Sequence, residues 1–165
     1  MSRSVTNIVV AGLGGQNVLK ASDIAAEAAF LSGHDVKKSE LHGMSQRGGS
    51  VTSDVRFGAE VLSPMVPAGE ADFLVVLDAD QVQINLPLLR PGGRLIDPAR
   101  LEGVRLASRK SLNVALLGVL SASLDIPETA WRKAIATHLP EKLHAANFAA
   151  FEAGRAAARG DGGSQ

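Results

Sequence analysis

Asn7-Ile8-Val9-Val10-Ala11-Gly12-Leu13-Gly14-Gly15-Gln16-Asn17 reads as a strand, a glycine turn and the start of a helix. A short β-branched run stops at Gly12, and an apolar pattern of helical period sets in near residue 17. That pattern predicts a helix over 17–31 that turns Val18, Leu19, Ile24, Ala25, Ala28 and Leu31 toward a core. Ser32-Gly33 closes it, with glycine in the C-cap role. A second strand is expected over 35–41. Past a glycine-rich segment, Val51, Ser53, Val55 and Phe57 alternate with Thr52, Asp54 and Arg56. This is the period of a third strand with one wetter face, and it places that strand toward a sheet edge.

The continuous apolar run Ala71-Asp72-Phe73-Leu74-Val75-Val76-Leu77 is of the kind that parallel sheets bury on both faces, and Asp78 marks its carboxyl end. A short helix over 79–88, a turn at Pro91-Gly92-Gly93, a strand over 94–97 halted by Pro98, and a short strand over 104–107 are expected next. From residue 112 the pattern is helical: 114–124, then 127–137 with proline in the first turn, then 141–158. In the last helix Leu143, Ala146, Asn147, Ala150, Phe151 and Gly154 share one stripe, suited to core packing or to a second subunit. The fold class is therefore α/β: an open, largely parallel sheet flanked by helices, with a helical C-terminal segment. Residues 7–157 form one domain and 158–165 read as a disordered tail.

Composition narrows the chemistry. In 165 residues, 17 Lys and Arg balance 17 Asp and Glu, so no basic field invites nucleic acid or an anionic membrane. Cysteine is absent, which removes disulfides, thiolate nucleophiles and Cys-ligated zinc or iron–sulfur clusters. No apolar stretch reaches the length of a membrane span, and residues 1–6 do not read as a signal peptide because a strand follows at once. A cytoplasmic location is expected.

Candidate sites follow from the topology, because open α/β sheets place ligands outside the carboxyl ends of their strands. Two glycine-lined loops, 12–16 and 42–49, follow strands and share a crevice if the first two strands are neighbours. Gly12, Gly14 and the helix start resemble the dinucleotide fingerprint, in which backbone amides receive a pyrophosphate. Asn17 stands where that pattern has its third glycine, and Glu40, the acid best placed for a ribose, comes late. With the pattern incomplete, two readings stand level: a tight βα turn with little chemistry of its own, and a turn that binds some anion or a partner's backbone.

The second loop, Glu40-Leu41-His42-Gly43-Met44-Ser45-Gln46-Arg47-Gly48-Gly49-Ser50, is too polar and too rich in special residues for a mere spacer. Arg47 offers a fork of donors suited to carboxylate or phosphate, and the glycines let another molecule approach the main chain. A glycine-rich turn with a surface arginine and a backbone-satisfied histidine is the competing reading. His42 could carry a proton and Ser45 could be a nucleophile, but no acid is clearly placed to orient His42, with Glu40 and Asp78 as the candidates. Ser45 lacks the strand-to-helix elbow of hydrolases. His34, His138 and His144 show no metal-ligand spacing, so no metal site is expected. Asp72 belongs at the opposite strand end from Asp78, and Asp80 suits the positive start of the following helix.

Taken in order, Gly12-Leu13-Gly14-Gly15-Gln16, then Ser39-Glu40-Leu41-His42-Gly43-Met44-Ser45-Gln46-Arg47-Gly48-Gly49-Ser50-Val51, then Gly69-Glu70-Ala71-Asp72 resemble the gamma domain of 2-oxoacid:ferredoxin oxidoreductases. Within that superfamily the chain is most similar to the small (beta) subunits of indolepyruvate ferredoxin oxidoreductases. Residues 113–118 and 147–154 fit the same pattern, and Asn17 departs from it where many relatives have glycine.

The resemblance implies a subunit of an enzyme that decarboxylates an aryl-2-oxoacid such as indolepyruvate, transfers the acyl group to coenzyme A and passes two electrons to ferredoxin. Thiamine diphosphate and the iron–sulfur clusters are implied in a large partner subunit, with coenzyme A as co-substrate and no cofactor bound by this chain alone. The isolated chain is then expected to be inactive. His42, Gln46 and Arg47 become the candidate catalytic residues. Gly12, Gly14, Gly15, Gln16, Ser45, Gly48 and Gly49 become the cofactor-facing ones, completing the active-site wall or coenzyme A channel of the partner. A free-standing NAD- or flavin-binding enzyme and a purely structural subunit are the alternatives.

Overall fold

The computed structural model of the chain describes residues 5–42 and 49–163. Strand β1 (Val5–Leu13) leads through the glycine turn into helix α1 (Val18–Leu31). Strands β2 (Asp35–His42) and β3 (Ser50–Gly58) follow, then β4 (Ala71–Val76). The one-turn helix α2 (Val82–Asn85) lies between two 3-10 turns and leads to β5 (Leu89–Ile96). Helices α3 (Leu112–Ser121), α4 (Glu128–His138) and α5 (His144–Gly163) complete the described chain.

The five strands form one sheet in the order β2-β3-β1-β4-β5. β1 pairs parallel with β4, and β4 with β5, while β3 pairs antiparallel with both β1 and β2. Four strands thus run in one sense and β3 alone runs against them. The third strand is not toward the edge as its alternation suggests. A short β2–β3 connection forces an antiparallel pair, and β3 then matches β1 in register from Val5↔Gly58 to Leu13↔Ser50. The edge falls to β2. The polar face of β3 is covered instead of wet: Asp54 Oδ2 accepts the Val66 N–H at 2.9 Å, and Arg56 donates to the carbonyls of Ser63 and Met65.

The two faces of the sheet are covered unequally. On one, Ile8, Val10, Val55 and Val75 pack under α1, α3, α4 and α5, with Trp131 and Phe151 fully buried and their rings 5.6 Å apart. On the other, Val9, Ala11, Leu74 and Val76 pack, among the described residues, against Val66, Val82, Leu86 and neighbouring side chains. Beside this smaller cluster a polar row links four strands. Arg56 donates to Asn7 Oδ1, the Asn7 N–H donates to Asp72, and Arg90 donates to Asp72 at 2.6 Å.

Several local expectations shift. The helix over 79–88 breaks into 3-10, α and 3-10 turns, because Pro87 removes a backbone donor. Residues 104–107 form no strand: β5 is the sheet edge, and among the described residues none pairs beyond it. Leu31 is exposed where the core was expected, and Ala21 and Ala29 take buried places on α1. The helical run of α5 reaches Gly163, past the boundary at 158 expected for a disordered tail, since Ala157 and Ala158 still pack against the core cluster. Among the described residues no helix is long and apolar enough to cross a membrane.

Candidate functional site

β1, β2, β4 and β5 all end at one rim of the sheet, and β3 begins there. The turn at 12–16 and the connection at 43–49 therefore stand at the same rim. β1 and β2 are not neighbours, yet β3 joins the two loops: the Gly14 N–H donates to the Gly49 carbonyl at 3.1 Å. His42 pairs with Val51 through the β2–β3 ladder. Its side chain, and residues Ser45, Gln46, Arg47 and Gly48, lie outside the described part of the structure.

The glycine turn has clear steric reasons for its sequence. A methyl group at Gly12 would come within 2.9 Å of both Gln16 Oε1 and Val18 Cγ2, so these side chains could keep their places only against a glycine. Gly15 has φ +90°, a conformation that glycine adopts without strain. Gly14 and Gly15 are exposed, and their backbone is open to an incoming molecule.

Gln16 is held at both ends of its carboxamide. Oε1 accepts the Leu13 N–H at 2.7 Å, and Nε2 donates to Asp78 Oδ2 at 2.8 Å. Asp78 in turn caps the next turn by accepting the Asp80 N–H at 2.9 Å. The carboxamide thus ties the β1 turn to the end of β4, and one N–H remains for a ligand. At the far side of β3, Ser50 Oγ donates to Gln81 Oε1 at 2.6 Å. The returning end of the 43–49 connection is therefore fixed twice, through Gly49 and through Ser50.

Glu40, considered above for a ribose or for His42, is engaged elsewhere. It meets Lys38 Nζ at 2.6 Å, and Asp23 meets the same nitrogen at 2.7 Å. Burial works against the Lys38 charge, but the two carboxylates outweigh it and hold its pKa above the usual lysine value. Asp72 lies at the opposite rim, in the polar row, as its place at the strand start implies.

A cleft of about 620 Å3 opens beside the glycine turn, bordered by Gly15, Gln16, Arg109, Lys110 and Asn113. Gln81, Arg109 and Lys110 carry no motif that singles them out. Only the folding of distant segments onto one rim brings them together. Among the described residues no group of three or more His, Cys, Asp or Glu side chains is arranged to hold a metal ion.

Comparison with known proteins gives a consistent result. The family model described as pyruvate ferredoxin/flavodoxin oxidoreductase matches residues 7–102 and 98–157. The chain is 31% identical over 193 residues to the indolepyruvate oxidoreductase subunit IorB of Thermococcus kodakarensis, covering 93% of this chain and 96% of that one. It is 42% identical over 94 residues to its counterpart in Pyrococcus horikoshii, covering 57% of this chain and 46% of that one. Among solved structures, the gamma subunit of a keto/oxoacid ferredoxin oxidoreductase from Geobacter sulfurreducens has a similar fold, with TM-score 0.71 and 24% identity over 94% of this chain and 99% of that one. A 2-oxoglutarate:ferredoxin oxidoreductase from Magnetococcus marinus aligns with TM-score 0.79 and 21% identity over 96% of this chain, which spans 32% of that longer one.

Proposed function

The chain belongs to the pyruvate ferredoxin/flavodoxin oxidoreductase family, and from that premise we propose that it is the small subunit of a 2-oxoacid:ferredoxin oxidoreductase of the indolepyruvate type. The observation that carries this reading is the match to a named indolepyruvate oxidoreductase subunit along nearly the whole of both chains. A co-extensive match favours a subunit over a free-standing NAD or flavin enzyme.

In this reading a large partner holds thiamine diphosphate and the iron–sulfur clusters, and the complex works in the cytoplasm. The chain's own donor set does not fit a cluster, because it has no cysteine. Thiamine diphosphate, when bound in the partner, supplies the carbanion chemistry of oxidative decarboxylation, and protein groups orient the reactants and set the electrostatics. The aryl-2-oxoacid and coenzyme A are the substrates and ferredoxin takes the electrons.

The contribution proposed for this chain is a wall, built from the 12–16 turn and the 42–49 loop. Arg47 would hold an anionic group of substrate or coenzyme A, with Gln46 and the amides of Gly48 and Gly49 positioning it. His42 and Ser45 would supply polar contacts beside it. The Gly14–Gly49 and Ser50–Gln81 hydrogen bonds support this reading, since they anchor the loop to a rigid sheet.

Two measurements test it. Purification of the native complex should yield a larger companion with bound thiamine and iron, and recovery of the chain free of any such companion would sink the proposal. In the assembled enzyme, Arg47→Ala should lower turnover about tenfold or more, as loss of a charge-assisted contact of about 1.5–3 kcal/mol allows. Unchanged turnover in an intact complex would leave the loop a packing element only.

A further inference from the structure

The rim opposite the glycine turn carries a cavity of about 370 Å3, within the range of about 300–1,000 Å3 typical of small-molecule sites. It lies where β1 and β4 begin, between the end of α1 and the α3–α4 connection. β5 is shaped around it. Ala71 pairs with Leu89 and Phe73 with Arg94, so residues 90–93 bulge out of the ladder, and Gly92 turns the excursion at φ +80°. Bulges re-aim side chains, and this one brings both Arg90 and Arg94 to the cavity wall.

The two arginines differ in what they have left to offer. Arg90 is fixed by Asp72, 2.6 Å from its Nε, and Asp72 also accepts the Asn7 N–H. Arg94 donates from Nη1 to Ser123 Oγ at 3.2 Å and forms no ion pair with a described residue. Asp125, in the α3–α4 connection, borders the same cavity and is likewise unpaired among the described residues. A positive and a negative group that share one cavity without neutralising each other suit a ligand that carries both charges. Much of the remaining wall is apolar and includes Phe57, Phe73 and Leu124, with the His34 ring 5.0 Å from that of Phe57 and tilted by 56°. Such a surface suits a flat apolar group.

We propose that this cavity binds an α-amino acid with an aromatic side chain. The Arg94 fork takes the carboxylate, Asp125 takes the ammonium, and the ring lies against Phe57, His34 and Leu124. The keto oxygen of the corresponding 2-oxoacid has no hydrogen to donate, so Asp125 selects the amine.

The test is calorimetric titration of the full chain with L-phenylalanine, L-alanine and phenylpyruvate. L-phenylalanine should bind saturably and about tenfold or more tightly than either of the others. Asp125→Asn, at an exposed position, should weaken L-phenylalanine about tenfold and leave phenylpyruvate unchanged. Arg94→Ala, also at an exposed position, should weaken both. Phenylpyruvate binding as tightly as L-phenylalanine would overturn the amino-acid assignment, and L-alanine doing so would overturn the aromatic subsite. No saturable binding of L-phenylalanine, or binding unmoved by both substitutions, would overturn the site. Neither result bears on whether the chain co-purifies with a thiamine- and iron-bearing partner, so the two proposals fail separately.

Discussion

Asn17 sits at φ 63°, in the left-handed region, as the residue that opens α1. Most L-residues lose about 1–2 kcal/mol there, whereas glycine loses little and asparagine is tolerated. Asn17→Gly is therefore expected to leave the urea midpoint of the full chain unchanged or raised. Asn17→Val should lower stability by about 1–2 kcal/mol, and equal midpoints for the two variants would show that no strain resides at this position. The same geometry explains a departure visible in the sequence. Asparagine stands where the fingerprint has glycine because the backbone asks for a positive φ, which both residues meet. Gln16 shows the opposite limit: its residue type and its place in the turn were readable as a site, but its bond to Asp78, 62 residues away, was not.

At the scale of elements, the closest packing is the crossing of α3 and α5. A methyl group at Gly118 would run into the Phe151 carbonyl, and one at Gly154 into the Ala115 carbonyl. The two glycines let the backbones touch, and neither obstacle is a flexible side-chain end. Gly118→Ala or Gly154→Ala should each cost about 3 kcal/mol, measured by chemical denaturation. A loss below about 0.5 kcal/mol would mean that the helices separate freely. The α5 stripe with Gly154 was legible from its period, since Asn147, Ala150 and Phe151 are buried as that period implies. Its partner Gly118 was not, because helix period reports which face is buried and not what it meets. β3 failed for a related reason: alternation of polar and apolar residues marks two different environments, and a covering loop with good hydrogen bonds is as different from a helix layer as water is.

The whole molecule is a sheet with one thick and one thin cover, and its response to pH should reflect a carboxylate under the thin one. Burial pushes the Asp54 carboxyl above its usual 3.8, with the Val66 N–H and Arg56 pulling the other way. The folded state then binds the proton more tightly than the unfolded state. Between the unfolded and the folded pKa, stability from this residue falls as pH rises, and above the folded value the penalty is fully present. Asp54→Asn should therefore raise the melting temperature at pH 7, with the gain shrinking as pH falls toward about 4, where an unfolded aspartate also takes up its proton. A gain that grows toward acid pH would reverse the assignment. The alternation of strands and helices made the fold class and the shared rim readable at this scale. The unequal covering and the opposite-rim cavity come from contacts between segments far apart in the chain, which no local pattern encodes.

The unbroken register of β3 against β1 and β2 carries an arithmetic consequence for altering this protein by insertion or deletion. One residue added inside Ser50–Gly58 would exchange Asp54 and Val55 between the two sides of the sheet, driving a carboxylate beneath four helices. A residue added between His42 and Gly49 leaves every rung of the ladder as it is. Length is thus free to drift in one of the two segments proposed to meet the substrate, while the strand that follows it stays locked in phase.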